Sequence, residues 1–261
     1  MSHAASRYLA LVAMLVMLVL YAFNATGNLG PNPIGTTSNA TAPLIVPAPY
    51  AFAIWGPIYI GLIAFPIFQL IKQRDNHPAW IKLRAWFAVN VVANGLWLAA
   101  ASFDMQWTSV GIIVFMLISL FRINQLLVTI ERSGAARSYW LERLVFSLYF
   151  AWVTLATVLN VASALNFYGW DGGPLSLVTW TVVMVAVAAL IAGYVSLKYR
   201  DVAYAGVVVW AFVAFAVKHF DAGTQVLGML GVAVVVVFAA IMVWNARAGQ
   251  SASSSSSQVS S

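Results

Sequence analysis

Tryptophan, tyrosine and asparagine recur at helical spacing inside the most apolar parts of this 261-residue chain. Their flat rings stack against other flat molecules, and their N–H and O–H groups donate hydrogen bonds. This combination is suited to binding a flat, apolar ligand with polar edges. The same side chains also join helices inside a membrane, so spacing alone leaves both interpretations open.

Three apolar segments each carry these residues along one side of a helix. Successive residues of an α-helix are about 100° apart, and the members of each set fall within about 80° of one another. An unpaired N–H facing lipid costs on the order of a kcal/mol or more, so we expect the three faces to point toward one another. The predicted ligand-binding residues are Phe52, Trp55 and Tyr59 in the first segment, Asn90, Asn94 and Trp97 in the second, and Tyr149, Trp152, Ala156 and Asn160 in the third.

The composition excludes a soluble globular protein. Hydrophobic residues make up 62% of the chain and charged residues 8%, whereas soluble domains carry about 25% charged residues. At about 20 apolar residues per crossing, the sequence predicts an all-α integral membrane protein with about eight transmembrane helices. The predicted spans are Tyr8–Phe23, Ala51–Ile71, Ala85–Phe103, Thr108–Ile130, Leu144–Leu165, Leu175–Leu197, Val202–Val217 and Thr224–Trp244.

The positive charges alternate between the two sides of these spans. Basic residues precede span 1, follow span 8, and lie between spans 2 and 3, 4 and 5, and 6 and 7. Because short loops rich in Lys and Arg stay in the cytoplasm, both termini are predicted to be cytoplasmic in a multipass protein of the cell membrane. The net charge of +6 therefore reflects topology, and no basic stripe suited to nucleic acid is present.

Three segments have open interpretations. Span 1 with the preceding Arg7 is also compatible with a cleaved signal peptide. The uncharged loop Asn24–Pro49 is expected to be either a lid over a binding site or a flexible linker. Residues 249–261 are mostly serine and are expected to be disordered.

The groups that usually perform catalysis are scarce. The chain has no cysteine, and His3, His77 and His219 are far apart in sequence, so no metal site is predicted. The spans as drawn contain no acid and no histidine, although proton-coupled transporters normally place such a group at membrane depth. Arg122 lies inside span 4, where it either extends to the membrane surface or binds an anion.

Three motifs resemble those of the TspO family, which comprises the translocator protein and the tryptophan-rich sensory proteins. Residues 149–160 match the family pattern Y-x-x-W-x-x-x-A-x-x-L-N without a gap. Residues 90–97 are similar to Q-x-x-x-N-x-x-W, with Asn in place of Gln. Residues 49–59 resemble P-x-W-x-F-x-x-x-W-x-x-x-Y, with Tyr for the first Trp and one residue fewer between Phe and Trp.

The resemblance covers about residues 6–168 and implies a five-helix bundle for residues 1–168. Residues 169–248 are then three additional transmembrane helices, as in a longer branch of tryptophan-rich sensory proteins. The resemblance also implies a pocket for porphyrins and sterols, capped by the loop between the first two helices. Tyr168 is followed by glycine, where the family's sterol-recognition stretch has a basic residue.

By the same resemblance, Trp55 and Trp152 correspond to two pocket tryptophans linked to light-dependent porphyrin breakdown. Asn94 and Asn160 correspond to pocket asparagines. We therefore expect a membrane protein that binds a porphyrin, haem or similar tetrapyrrole for sensing or transport, with no required cofactor. Its expected partners are the lipid bilayer and this ligand, and a homodimer is left open.

Two alternatives come from other functional classes. The first is a transporter of a small uncharged metabolite, in which the three additional helices complete a pathway. The second is a structural or assembly protein whose Trp and Asn faces only pack helices. Enzymatic activity is not expected beyond tryptophan-dependent breakdown of a bound porphyrin under light.

Overall fold

The computed structural model describes residues 1–31, 42–72, 77–135 and 137–258, without the side chains of Lys72 and of residues 249–258. Within these ranges the protein is all-α, and eight helices are long and apolar enough to cross a membrane. The predicted fold class and the eight spans are confirmed. The helices are α1 His3–Ala25, α2 Trp55–Lys72, α3 Pro78–Ser102, α4 Gln106–Arg132, α5 Val145–Phe167, α6 Leu177–Tyr199, α7 Val202–Asp221 and α8 Gln225–Gln258.

The chain divides into two compact units. The first contains Met1–Ala42 and Ile54–Gly169, and the second contains Pro43–Ala53 and Trp170–Ser261. The later boundary lies next to the one predicted between residues 168 and 169. Residues 43–49 were expected in the loop Asn24–Pro49 and residues 51–53 in span 2, both within residues 1–168. The structure instead places Pro43–Ala53 in the second unit, where it binds to α7.

The first unit is a ring of five helices. In order around the ring, α1 packs against α3, α3 against α4, α4 against α5, α5 against α2, and α2 against α1. Glycines bring neighbouring helices close together: a Cβ atom on Gly61 would lie 2.5 Å from Val145, and one on Gly95 would lie 2.6 Å from Leu20. The ring therefore encloses an interior to which α1, α2, α3 and α5 contribute side chains.

Two elements before helices position the site. A 3-10 helix, Pro49–Ile54, leads directly into α2, and a π-helix, Tyr139–Leu144, leads into α5. The π-helix places the fully buried Glu142 in the same membrane-spanning segment as α5. His219 is likewise buried within α7. The spans as drawn contain no acid and no histidine, but the helices extend beyond those apolar runs and include both.

The second unit is built around α7. Helix α7 packs closely on α8, where a Cβ atom on Gly231 would lie 2.9 Å from Ala216. Asn245 on α8 donates a hydrogen bond to the carbonyl oxygen of Ser196 on α6, at 3.2 Å. The backbone of α8 is helical to Gln258, within the segment 249–261 for which the sequence predicts disorder; the segment contains no proline to end the helix.

The predicted orientation can be tested with reporters. A reporter fused after residue 261 is expected to be cytoplasmic, and one inserted in the loop between α1 and α2 is expected to lie on the opposite side, because the basic connections alternate. A reporter between α2 and α3 is the matched control and is expected to be cytoplasmic. Finding the loop and the C-terminus on the same side would contradict the odd number of crossings, α2 to α8, that the predicted topology places between them.

Candidate functional site

The interior of the first unit contains a cluster of aromatic rings centred on Trp55, the first residue of α2. Its indole stacks on Tyr59, with ring centroids 4.9 Å apart and an interplanar angle of 14°. It also meets Trp152 edge to face at 6.2 Å and Tyr149 at 6.1 Å. Together with Tyr21 and Asn94, described next, these four residues form what we call the aromatic cluster.

A chain of hydrogen bonds crosses the aromatic cluster and connects four helices. The hydroxyl groups of Tyr59 and Tyr21 bind each other, and Tyr21 donates to Oδ1 of Asn94 at 2.7 Å. Nδ2 of Asn94 then donates to the hydroxyl group of Tyr149, also at 2.7 Å. Asn94 and Tyr149 are fully buried. All members of this chain are uncharged, which suits a site inside a membrane.

A second polar group lies along the same side of α3. Nε1 of Trp97 donates to Oδ1 of Asn160 at 2.9 Å, and Nδ2 of Asn160 donates to the hydroxyl oxygen of Ser109 at 3.1 Å. This group joins α3, α4 and α5. It lies toward the end of the unit at which α1 and α3 end.

The predicted site residues are thus divided among several places. Trp55, Tyr59, Asn94, Tyr149 and Trp152 come together in the aromatic cluster, while Trp97 and Asn160 form the neighbouring group. Ala156, half-buried, lies one helical turn after Trp152.

The two remaining predicted residues are Asn90, which joins α3 to α4, and Phe52, which belongs to the second unit. Nδ2 of Asn90 donates to Ser119 at 2.6 Å and to the carbonyl oxygen of Met116 at 3.2 Å. It therefore joins α3 to α4 and does not bond to the aromatic cluster. Phe52 precedes the boundary at Ile54 and belongs to the second unit, with 39% of its surface exposed.

Three phenylalanine rings fill the next layer of the bundle. The centroids of Phe65 and Phe87 are 4.8 Å apart, and those of Phe65 and Phe146 are 5.0 Å apart. Phe65 is fully buried, as is Phe87. This layer separates the aromatic cluster from the end of the unit at which α1 and α3 begin, which we call the basic end.

A buried polar network occupies the basic end. Arg84 donates from Nε and Nη2 to Oε1 of Gln69, at 3.0 and 2.6 Å, and from Nη1 to the hydroxyl oxygen of Ser6 at 3.3 Å. Nε2 of Gln69 donates in turn to the carboxylate of Glu142. Gln69, Arg84 and Glu142 are fully buried. In the sequence, Arg84 is one of the basic residues between spans 2 and 3 that indicate topology, and its spacing does not predict this network.

Tyr21 is a further residue of the aromatic cluster that was not among the predicted site residues. On α1 it follows the buried residues Met14 and Met17 at helical spacing. That pattern marks the buried side of α1, and a tyrosine on it was a usable signal. The predicted faces all contain tryptophan, and span 1 contains none, so Tyr21 was not included.

An apolar groove also lies outside the ring. It has a volume of about 660 Å³ and is lined by residues of α1, α3 and α4, among them Leu9, Ala13, Val92, Leu96 and Phe115. None of the aromatic cluster residues lines it. In a membrane, such a groove is accessible to lipid chains.

Comparison with known proteins identifies the family of this chain. The model of the family described as TSPO-like protein matches residues 7–244. The chain belongs to the TSPO-like family. The match includes α6, α7 and most of α8, so family membership extends beyond residues 6–168, where the motif resemblance ends. Searches among curated proteins and among solved structures returned no match.

Proposed function

We propose that this TSPO-like protein binds a flat, largely apolar ligand of the tetrapyrrole class in the aromatic cluster. The observation that carries the proposal is the meeting of Trp55 and Trp152 inside the helix ring, next to the buried amide of Asn94. Rings arranged in this way gain stacking energy with a flat ligand, and the amide and hydroxyl groups offer hydrogen bonds to its edges. Family membership favours a porphyrin or haem among such ligands.

The opposite ends of the first unit differ, and this favours binding for sensing over passage through the bundle. On the basic side, the phenylalanine layer and the Arg84 network lie between the aromatic cluster and the end of the unit. A ligand crossing the bundle would have to break several buried hydrogen bonds, each costly to leave unmade. Transport through the first unit is therefore the less favoured use of the site.

A titration tests the proposal. Protoporphyrin added to the purified protein in lipid nanodiscs is expected to quench tryptophan fluorescence and to saturate near one molecule per chain. Empty nanodiscs supplemented with free tryptophan control for partitioning into lipid. Absence of saturable quenching would overturn the proposed function, and flux of a small uncharged metabolite in liposomes would then support the transporter alternative.

Replacing Trp152 by phenylalanine separates binding from photochemistry. A ring stacked on an aromatic neighbour gains about 0.5–1.5 kcal/mol beyond burial, and phenylalanine keeps a ring, so porphyrin affinity is expected to fall only several-fold. Light-driven breakdown of the bound porphyrin is expected to fall much further, because phenylalanine is far harder to oxidise than an indole. The measurement is porphyrin absorbance during illumination at saturating occupancy.

The matched control for this variant is Trp244→Phe, which changes an exposed tryptophan on α8. Equal breakdown rates in the wild type and in both variants would show that Trp152 has no photochemical role. Loss of thermal stability without any change in binding would indicate that Trp152 only packs helices.

A further inference from the structure

The segment that precedes α2 is held along α7 by a row of hydrogen bonds. We call this segment, Pro43–Ala53, the pre-α2 segment. Nζ of Lys218 donates to the carbonyl oxygen of Val46 at 2.7 Å, and Nε1 of Trp210 donates to that of Ala51 at 2.9 Å. Both acceptors are backbone carbonyls, so these two hydrogen bonds depend on the path of the chain.

Two further contacts extend the row. Nε2 of His219 lies 2.9 Å from the carbonyl oxygen of Leu44, and because a carbonyl only accepts, this nitrogen carries the proton. The amide of Ala48 donates to the carbonyl oxygen of Ala214 at 3.3 Å. As residue numbers rise from 44 to 51 along the segment, their partners fall from 219 to 210, so the segment runs antiparallel to α7.

The contacts are partly buried, with 39% of the surface of Trp210 exposed, and they fit a specific face of α7. Trp210, Ala214 and Lys218 follow at intervals of four residues, which places them on one side of the helix. His219 and Ala51 are essentially inaccessible to solvent. The ring of Tyr50 packs edge to face on Trp210, with centroids 5.6 Å apart.

The bound segment leads within a few residues to the centre of the aromatic cluster. Ala51 precedes Trp55 by four residues in the sequence, and the 3-10 helix Pro49–Ile54 joins them directly. Trp55 is also the first residue of α2, where 3-10 and α-helical backbones meet. Gly56 follows, and a Cβ atom there would have no neighbour within 4 Å. The start of α2 is therefore a junction between two helical conformations, with open space beside Gly56.

Entry of a flat ligand requires Trp55 to move. Its indole stacks on Tyr59 and meets Trp152, so it occupies the position in which a ligand would stack. The hydrogen bond from Trp210 holds the backbone at Ala51, four residues before Trp55, and so limits the movement of Trp55. A binding residue that is positioned rigidly slows the entry of the ligand and keeps the geometry of the bound state defined.

We propose that the additional helices act through α7 as a latch on the pre-α2 segment, with Trp210, Lys218 and His219 as positioning residues for Trp55. The latch sets how readily Trp55 leaves the aromatic cluster and thus how fast a ligand associates. The effect on the rate of ligand association rests on the proposed function. The restraint on the backbone can be measured without any ligand.

The test uses the double variant Trp210→Phe/Lys218→Met in the full chain. Phenylalanine keeps a ring against Tyr50 and methionine keeps the length of lysine, but both hydrogen-bond donors are lost. Losing two such bonds is expected to speed amide hydrogen exchange about tenfold or more in residues 44–54. Exchange is expected to rise also in residues 55–60, and protoporphyrin is expected to associate several-fold faster.

The matched control is Trp244→Phe/Lys198→Met, which makes the same changes at exposed positions of α8 and α6. It is expected to exchange and bind like the wild type. Faster exchange confined to residues 44–54, with residues 55–60 unchanged, would overturn the latch as a positioning device. Unchanged exchange throughout would overturn it altogether, whereas a wild type that binds no porphyrin would overturn the proposed function and leave the exchange result to decide the latch.

Discussion

Replacing Arg84 by methionine is expected to destabilise the protein by about 3–5 kcal/mol. Arg84 is fully buried and binds Gln69 and Ser6, and Gln69 connects its guanidinium group to the carboxylate of Glu142. Methionine cannot donate, so the buried amide oxygen of Gln69 loses both hydrogen bonds from Arg84, and the cost of leaving buried polar groups unpaired exceeds the gain from one more apolar side chain. Reversible unfolding in mixed micelles, followed by tryptophan fluorescence, measures the effect.

Lys82→Met is the matched control for Arg84→Met. It removes the same charge from the same helix, two residues earlier, at an exposed position. Its stability is expected to stay close to that of the wild type. If Arg84→Met and Lys82→Met are equally stable, the network does not hold the basic end together.

Replacing Ala156 by leucine is expected to weaken porphyrin binding by about tenfold or more, which corresponds to about 1.4 kcal/mol. Ala156 lies one turn after Trp152 on the same face of α5, and the larger side chain would fill space next to the aromatic cluster. The loss is expected to exceed that of Trp152→Phe, because leucine blocks volume while phenylalanine retains a ring. Fluorescence titration gives the affinity of each variant.

Ala186→Leu supplies the control for Ala156→Leu. It introduces the same side chain at an exposed position of α6, and its affinity for porphyrin is expected to equal that of the wild type. Both variants are first compared for thermal stability, so that loss of binding is not confused with loss of the fold. Normal binding by a stable Ala156→Leu variant would show that this face of α5 serves helix packing.

The elements were predictable from the sequence because each one depends on local composition. A run of about 20 apolar residues is long enough to cross the membrane, and the eight helices follow these runs. The faces of α3 and α5 were also predictable, since Asn94, Tyr149 and Trp152 follow helical periodicity. Which of these residues meet was harder to foresee, because one face can contact two neighbours: Asn90 and Asn94 share a stripe but bond to different helices.

The basic end and the pre-α2 segment could not be predicted in the same way. The buried network depends on Gln69, Arg84 and Glu142, which are distant in sequence. Each lies near the end of an apolar run, where a polar residue is expected and does not indicate a buried partner. The pre-α2 segment binds α7 through its backbone carbonyls, which every residue type carries. No side-chain pattern in residues 43–53 marks that partner.

A photoaffinity porphyrin probe tests most directly whether the ligand site is the aromatic cluster. After illumination of the nanodisc-bound protein, mass spectrometry of its peptides locates the attached probe. We predict labelling in α2 and α5 near Trp55 and Trp152, suppressed by excess protoporphyrin. Labelling restricted to the outer groove near Val92 and Phe115, or to α6–α8, would contradict a ligand site inside the helix ring.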